Sequence, residues 1–405
     1  MSESTNGTAA HYTGPLFDAD NHYYEATDAF LRHVPEHMHA RCVQWVQLDN
    51  GHKRQLVRGK IDYQVPNPTF DPISKPGVLR TYYKGNPEGK KFMDLIRSNL
   101  EPLPDAYRDR DARISLMDDQ GVEAAWFFPT VGIHYEEPMK HDVEAVTMAH
   151  RGFNRWLEED WGFAYKNRIF AAPYVTLADP AAAVEQLDWA IERGARLVVM
   201  RPAPVMTADG PRSPGDADFD GFWARVGEAR IVVVAHAGNS GYGTNGYPAG
   251  SSSAEALGGG ARPSVAIYKL ERAILDWLTA LCFDRVFERF PGVRVASVEN
   301  GAAYLHDLFR MLASTRDRYP KWFEDDPVEV FRRHAWINPF WEDRIDDVVE
   351  YMGVDRVLFG SDFPHMEGLE YPAQIFDEIG HMSVDDQRRI AHDNAAELTG
   401  VAVAA

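Results

Sequence analysis

The stretch "IVVVAH", Ile231 to His236, decides the fold. Five apolar residues run without a break and stop at a histidine. Three successive valines favour a strand, and the absence of any polar alternation means that neither face meets water. Such strands belong to parallel sheets covered by helices on both sides. Working outward, similar runs recur along the chain: "VEAAWFF" from Val122, "RIFAAPYV" from Arg168, "RLVVM" from Arg196, "VRVASVE" from Val293, "HAWIN" from His334 and "RVLFGSD" from Arg356. Stretches of helical period separate them. With an opening strand that ends in "DADNH", Asp18 to His22, the count reaches eight. Eight βα units in a row predict an α/β fold of the closed (β/α)8 TIM barrel type, with a long insertion after strand 1. No Gly-x-Gly-x-x-Gly opens the first helix, which disfavours a dinucleotide-binding sheet.

Composition narrows the function classes. The 405 residues carry 42 basic and 61 acidic side chains, a formal charge of −19. That balance argues against a nucleic-acid groove or an anionic membrane surface as partner. No apolar run approaches the roughly 18 residues of a membrane span. Two cysteines, Cys42 and Cys282, are too few for a disulfide framework and fit a reducing interior. The start "MSESTNGTAAHYTG" has neither a basic nor an apolar segment of the kind that directs export. A cytoplasmic protein is expected.

The expected organisation is a flexible lead-in over 1–14 and a single domain over 15–405. An insertion occupies 26–108. Within it, "VQWVQLDNGHKRQLVRGK" (43–60) reads as a hairpin about an Asp-Asn-Gly turn. Pro66, Pro68, Pro72, Pro76 and Pro87 forbid regular structure over much of the remainder. Its aromatic residues Trp45, Tyr63, Phe70, Tyr82 and Tyr83 are expected to cover the barrel mouth, a neighbouring subunit of a homodimer, or both. A helix is predicted after Asp179, which caps it. Pro180 stands in its first turn, Val184, Leu187 and Ile191 share a face, and Gly194 ends it. The glycine-rich loop over 238–263 lacks the Gly-Lys-Ser/Thr of a phosphate loop and reads as a lid.

Active sites of such barrels lie at the C-terminal ends of the strands. There the sequence sets Asp20 and His22 on strand one, His236 on strand five, Glu299 on strand six and Asp362 on strand eight. Residues two apart on a strand point to one side, so Asp20 and His22 can grip one ion together. Taken singly, each has a structural reading: a packed histidine, a helix cap, an arginine partner. Together they predict a metal site, because buried charges pair or coordinate metals. Asp18 is expected to hydrogen-bond backbone or groups behind the ligands. His306 reads either as a further ligand or as a helix-face residue. His365 follows strand eight closely enough to touch substrate, His134 is a weaker candidate of that kind, and Asn338 reads as the cap of strand seven.

These residues carry a resemblance. "DADNH", "VVVAHAG", "VENGAAYL" and "GVDRVLFGSDFPHMEG" are similar to the amidohydrolase superfamily, in its amidohydrolase-2 group of aminocarboxymuconate-semialdehyde decarboxylase-like metal-dependent barrels. The resemblance runs from Phe17 to the C-terminus. That group has His-x-His on strand one, a histidine on each of strands five and six, and an aspartate on strand eight. By position these become Asp20 and His22, His236, Glu299 and Asp362. Two histidines are thus carboxylates here, a harder donor set that shifts preference from zinc toward manganese or iron. Five such donors can hold one or two divalent ions.

The resemblance implies a metal-dependent hydrolase or non-oxidative decarboxylase acting on a small organic acid or cyclic amide. Asp362 is expected to move the proton, with Glu299 and His365 as further catalytic groups. One alternative is a dinuclear iron or manganese oxygen-activating monooxygenase on the same barrel. Another is an inactive barrel that assembles with a homologous subunit.

Overall fold

The computed structural model describes residues 11–62, 67–242 and 265–402. Among the described residues, seven parallel strands carry the mixed α/β architecture. They are β1 (Leu16–Tyr23), β2 (Val122–Pro129), β3 (Ile169–Ala171), β4 (Leu197–Met200), β5 (Val232–His236), β6 (Arg294–Val298) and β7 (Ala335–Ile337). β1 pairs with β2 and β2 with β3, while β4 pairs with β5, β5 with β6 and β6 with β7. Three parallel bridges join what remains: Tyr174 to Val199, Ile337 to Val357, and Phe363 back to Asn21 of β1. Every residue of β1, β4 and β5 is buried. That explains the unbroken apolar runs, since each strand lies between a packed interior and a layer of helices.

Two expected strands are shorter than read. "RIFAAPYV" forms a ladder only over Ile169–Ala171, because Pro173 has no N–H to continue it. "RVLFGSD" is not a continuous strand. It exchanges single bonds with both neighbours: Leu358 N–H to Ile337 O, Ala19 N–H to Phe359 O and Asp362 N–H to Asp20 O, each 2.8 Å. Between them, the N–H of Phe359 turns to Ile390 O and that of Ser361 to the carboxylate of Asp18. Those diverted donors break the ladder on this side of β1.

Helices stand between successive strands: α1 (Arg110–Gln120), α2 (Val143–Asp160), α3 (Pro180–Glu192), α4 (Asp220–Ala229), α5 (Lys269–Phe283), α6 (Tyr304–Arg318) and α7 (Ile345–Met352). Aspartates at 109, 142 and 179 cap the first three with their side chains. α3 begins and ends where the sequence indicates. Its buried face is Ala183, Leu187 and Ala190, with Val184 and Ile191 on the flanks, so the expected stripe was rotated by part of a turn.

Between β1 and α1, Val43–Gln47 pairs antiparallel with Lys53–Val57 about the expected turn, and Lys60–Asp62 adds a third strand. Further on, this segment fastens onto the loop after Asp362. Gly77 and Leu79 donate backbone N–H groups to His365 O and Met366 O, and Leu79, Phe92 and Leu95 form a small core beside Met366. Phe70 packs on Tyr24, and Tyr83 lies 6.4 Å from Trp341. Tyr63 and most of the glycine-rich loop fall outside the described residues.

Gly77 has φ +70°, and a Cβ there would lie 2.7 Å from Glu370 N, whereas Gly85, at φ +90°, has open space. Gly77→Ala should therefore destabilise by about 2–3 kcal/mol and Gly85→Ala by about 1 kcal/mol in urea unfolding. Equal losses would mean that this segment does not seat closely.

Candidate metal centre

The C-terminal ends of β1, β5 and β6 and the loop after Gly360 deliver five polar side chains to one place. His22 Nε2 lies 3.3 Å from both Asp20 Oδ1 and Asp362 Oδ1, and 3.8 Å from Glu299 Oε2. His236 Nε2 lies 3.5 Å from Asp20 Oδ1 and 3.3 Å from Glu299 Oε2. Asp20, His22, His236 and Glu299 each offer one donor atom within 4.8 Å of the others. A neighbouring set, Glu299, Asp362, His365 and Glu367, does the same. The sequence pointed to all of these except Glu367, which stands in a loop where no strand periodicity marks it.

Backbone geometry aims two of the carboxylates. Glu299 and Asp362 adopt φ of +57° and +54°, left-handed conformations that non-glycine residues avoid at a cost of roughly 1–3 kcal/mol. Glu299 directly follows its apolar run and Asp362 follows Ser361 at the end of its own, where that turn swings the side chain across the strand ends. The hydrogen bonds of Asp362 N–H to Asp20 O and His365 N–H to Asp362 O hold one of these turns in place.

The donor set fits a cation. Asp20 Oδ1, His22 Nε2 and His236 Nε2 are buried and lack a hydrogen-bond partner among the described residues. Orphaned buried polar atoms are costly, and three that converge call for a ligand. His236 Nδ1 donates to Ala237 O at 2.9 Å, which leaves the Nε2 lone pair facing the cluster, the tautomer a metal needs. Burial, followed by the charge of His365, pushes the His22 pKa down to about 3, so its ring is neutral. Burial raises Glu299 and Asp362 well above the carboxylate range, and neighbouring carboxylates add to it. A divalent ion would relieve that repulsion.

Asp362 Oδ1 is 2.6 Å from His365 Nδ1, and His365 Nε2 is 3.1 Å from Thr130 Oγ1. Thr130 donates its own proton to Tyr23 O at 2.8 Å, so it accepts from His365 Nε2–H. His365 therefore meets Asp362 with Nδ1, and a proton must lie between two atoms that would otherwise both be acceptors. Asp18 lies behind the ligands as expected: it accepts from Asp20 N, Asn21 Nδ2, Ser361 N and Ser361 Oγ.

His306 is not brought to this place. It is exposed on α6, with Nδ1 3.0 Å from the Tyr351 hydroxyl. Tyr304, Leu305, Leu308 and Leu312 take the buried face of that helix, which turns residue 306 outward. His306 is a helix-face residue and not a ligand. His134 instead lines a cavity of about 350 Å3 at the same end of the strands, with Arg58, Lys60 and Asn239. Asn338 donates to Pro339 O and Leu358 O at the end of β7.

A sequence model of the amidohydrolase family matches residues 18–401. The crystal structure of an amidohydrolase from Mycobacterium avium subsp. paratuberculosis K-10 is 40% identical, with a TM-score of 0.88 over 96% of this chain and 100% of that one. Dihydroxybenzoic acid decarboxylase from Polaromonas sp. JS666, with bound manganese and the inhibitor 2-nitroresorcinol, has a TM-score of 0.57 over 80% of this chain and 93% of that one. At 19% identity this likeness concerns the fold. 2-Amino-3-carboxymuconate-6-semialdehyde decarboxylase from Dictyostelium discoideum is 23% identical over 131 residues, 31% of this chain and 36% of that protein, so the match spans about a third of the relative's length.

One buried acid near the site gives a test of its electrostatics. Glu25 Oε1 accepts from Val131 N and Gly132 N at 2.9 Å, Oε2 has no partner among the described residues, and burial pushes the pKa from 4.5 to about 7. Folded protein thus keeps a proton that unfolded chain releases, and the associated stability is lost as pH rises from 4.5 to 7. Glu25→Gln removes that loss. The difference in unfolding free energy should move in the variant's favour by up to about 1.4 kcal/mol per pH unit across this window in urea titrations. A pH-independent difference would contradict the assignment.

Proposed function

The chain belongs to the amidohydrolase family, and from that premise we propose that it is a divalent-metal-dependent decarboxylase of small carboxylic acids, built on a closed (β/α)8 barrel. The family and its decarboxylase relatives support a metal-dependent hydrolase or decarboxylase. The closed barrel is supported by pairings that leave β1 through β2 and return to it through Phe363. The observation that carries the reading is the convergence of three buried, unpartnered donor atoms from β1 and β5.

Asp20, His22, His236 and Glu299 would hold the ion. Manganese suits a set rich in carboxylates, and it is the ion in the related Polaromonas enzyme. When bound, it would supply positive charge to the substrate oxygens and orient them. The chain's own groups do the rest. As the C–C bond to the carboxylate breaks, CO2 departs and the electron pair stays on carbon. Asp362, which shares a proton with His365 Nδ1 across 2.6 Å, gives that carbon its proton. His365 Nδ1, 2.6 Å away, returns a proton to Asp362 from outside. Phe128, whose ring centre is 4.6 Å from that of His236, walls the site against water. Decarboxylation is favoured over hydrolysis because two of the three named relatives are decarboxylases and because the Asp362–His365 pair has a proton to give.

The oxygen-activating alternative finds no support among these relatives. As for assembly, we propose a homo-oligomer, since Ile267, Tyr268 and Trp45 leave apolar surface exposed.

The test is a panel of hydroxylated benzoates and unsaturated carboxylic acids, incubated anaerobically in D2O with manganese-loaded protein. CO2 release with one deuterium at the vacated carbon is expected, and Asp362→Asn should slow it at least 10³-fold. Hydrolysis of esters or amides without CO2 release would replace this reading with the hydrolytic one.

A further inference from the structure

Arg113 of α1 is fully buried, yet it has no carboxylate within ion-pair distance among the described residues. Its donors go to Ala106 O (Nε, 2.6 Å), Asn21 Oδ1 (Nη1, 2.5 Å) and His22 O (Nη2, 2.8 Å). Tyr107, Phe127, Trp161 and Phe363 surround the guanidinium, with ring centres 5.1–6.0 Å away. A lone buried cation is expensive to desolvate, and packing alone is served more cheaply by an apolar side chain. Global stability therefore does not explain it.

Its partners do. Asn21 lies between Asp20 and His22, so on β1 it points away from them. Arginine has only donors, which obliges Asn21 to face it with Oδ1 and leaves Nδ2 for Asp18 Oδ2, 2.9 Å away. Asp18 in turn holds Ser361 by N–H and hydroxyl, and so sets Asp362 beside His22. One guanidinium thus fixes the carbonyl of His22 directly, and through one amide fixes the carboxylate that ties β1 to the segment carrying Asp362.

We infer that Arg113 and Asn21 act as a positioning pair that sets the affinity of the Asp20, His22, His236 and Glu299 cluster for its divalent ion. This rests on the metal-dependent reading above. Groups behind metal ligands typically alter affinity 10- to 100-fold, which is the range expected here. Repulsion between the guanidinium and a bound cation would act the other way, but the Asp18 carboxylate offsets it.

The test titrates full-length protein with manganese, followed by the loss of the free-ion EPR signal, alongside thermal melting and the visible spectrum of the cobalt-loaded form. Arg113→Met and Asn21→Ala should each weaken manganese binding about 10- to 100-fold and alter the cobalt bands, while the metal-free proteins still melt cooperatively. The double variant should lose no more than the larger single loss, because the two act as one unit. Arg113→Lys, which keeps the charge but not the three-way fork, should recover only part of the affinity. If Arg113→Met fails to fold, Asn21→Ala alone decides. Affinities within twofold of the parent protein, tighter binding, or additive losses would overturn the inference while leaving the proposed function standing. A parent protein that binds no manganese would overturn both.

Discussion

The carboxylate of Asp18 is the constraint on which the rest of the site depends. It joins residues 343 apart in sequence, taking the N–H and hydroxyl of Ser361 while also accepting from Asp20 N and Asn21 Nδ2. Burial pushes its pKa up to about 6 against those hydrogen bonds, so the group works near the limit of what its partners can hold charged. Its bond to Ser361 takes that N–H out of the ladder with β1. Diverting that donor lets the chain turn at Asp362 into a left-handed conformation and present its carboxylate to His22. A structural hydrogen bond and a functional geometry are here the same interaction.

The cluster shows how a parallel sheet makes a site from distant parts of a chain. Adjacent strands end at one level, so residues at 20, 22, 236 and 299 meet although the sequence scatters them. Three carboxylates and two imidazoles form a donor set suited to a cation. The segment between β1 and α1 closes over this end, fastened to the backbone of His365 and Met366. That fastening couples the position of His365 to parts of the molecule with no chemistry of their own.

Much of this was legible in the sequence because burial on both faces leaves a direct trace. The runs at Val122, Leu197, Val232 and Arg294 are strands as read. Local rules failed where a single group overrode them. Pro173 cut one strand short, and Asp18 disrupted the last. Helical phase was the other weak point: the buried stripe of α3 lies on smaller residues than expected, and His306 faces solvent. Glu367, Glu25, Arg113 and Thr130 were missed for a common reason. Each acts through partners far away in sequence, and a lone acid, arginine or threonine carries no period.

Whether the strand ends hold a divalent ion is read straight from an anomalous difference map of a manganese-soaked crystal. The account predicts a peak about 2.0–2.3 Å from Asp20 Oδ1, His22 Nε2 and His236 Nε2 together, with Glu299 within reach. A peak elsewhere on the molecule, or none at this place with the crystal saturated in manganese, would contradict it.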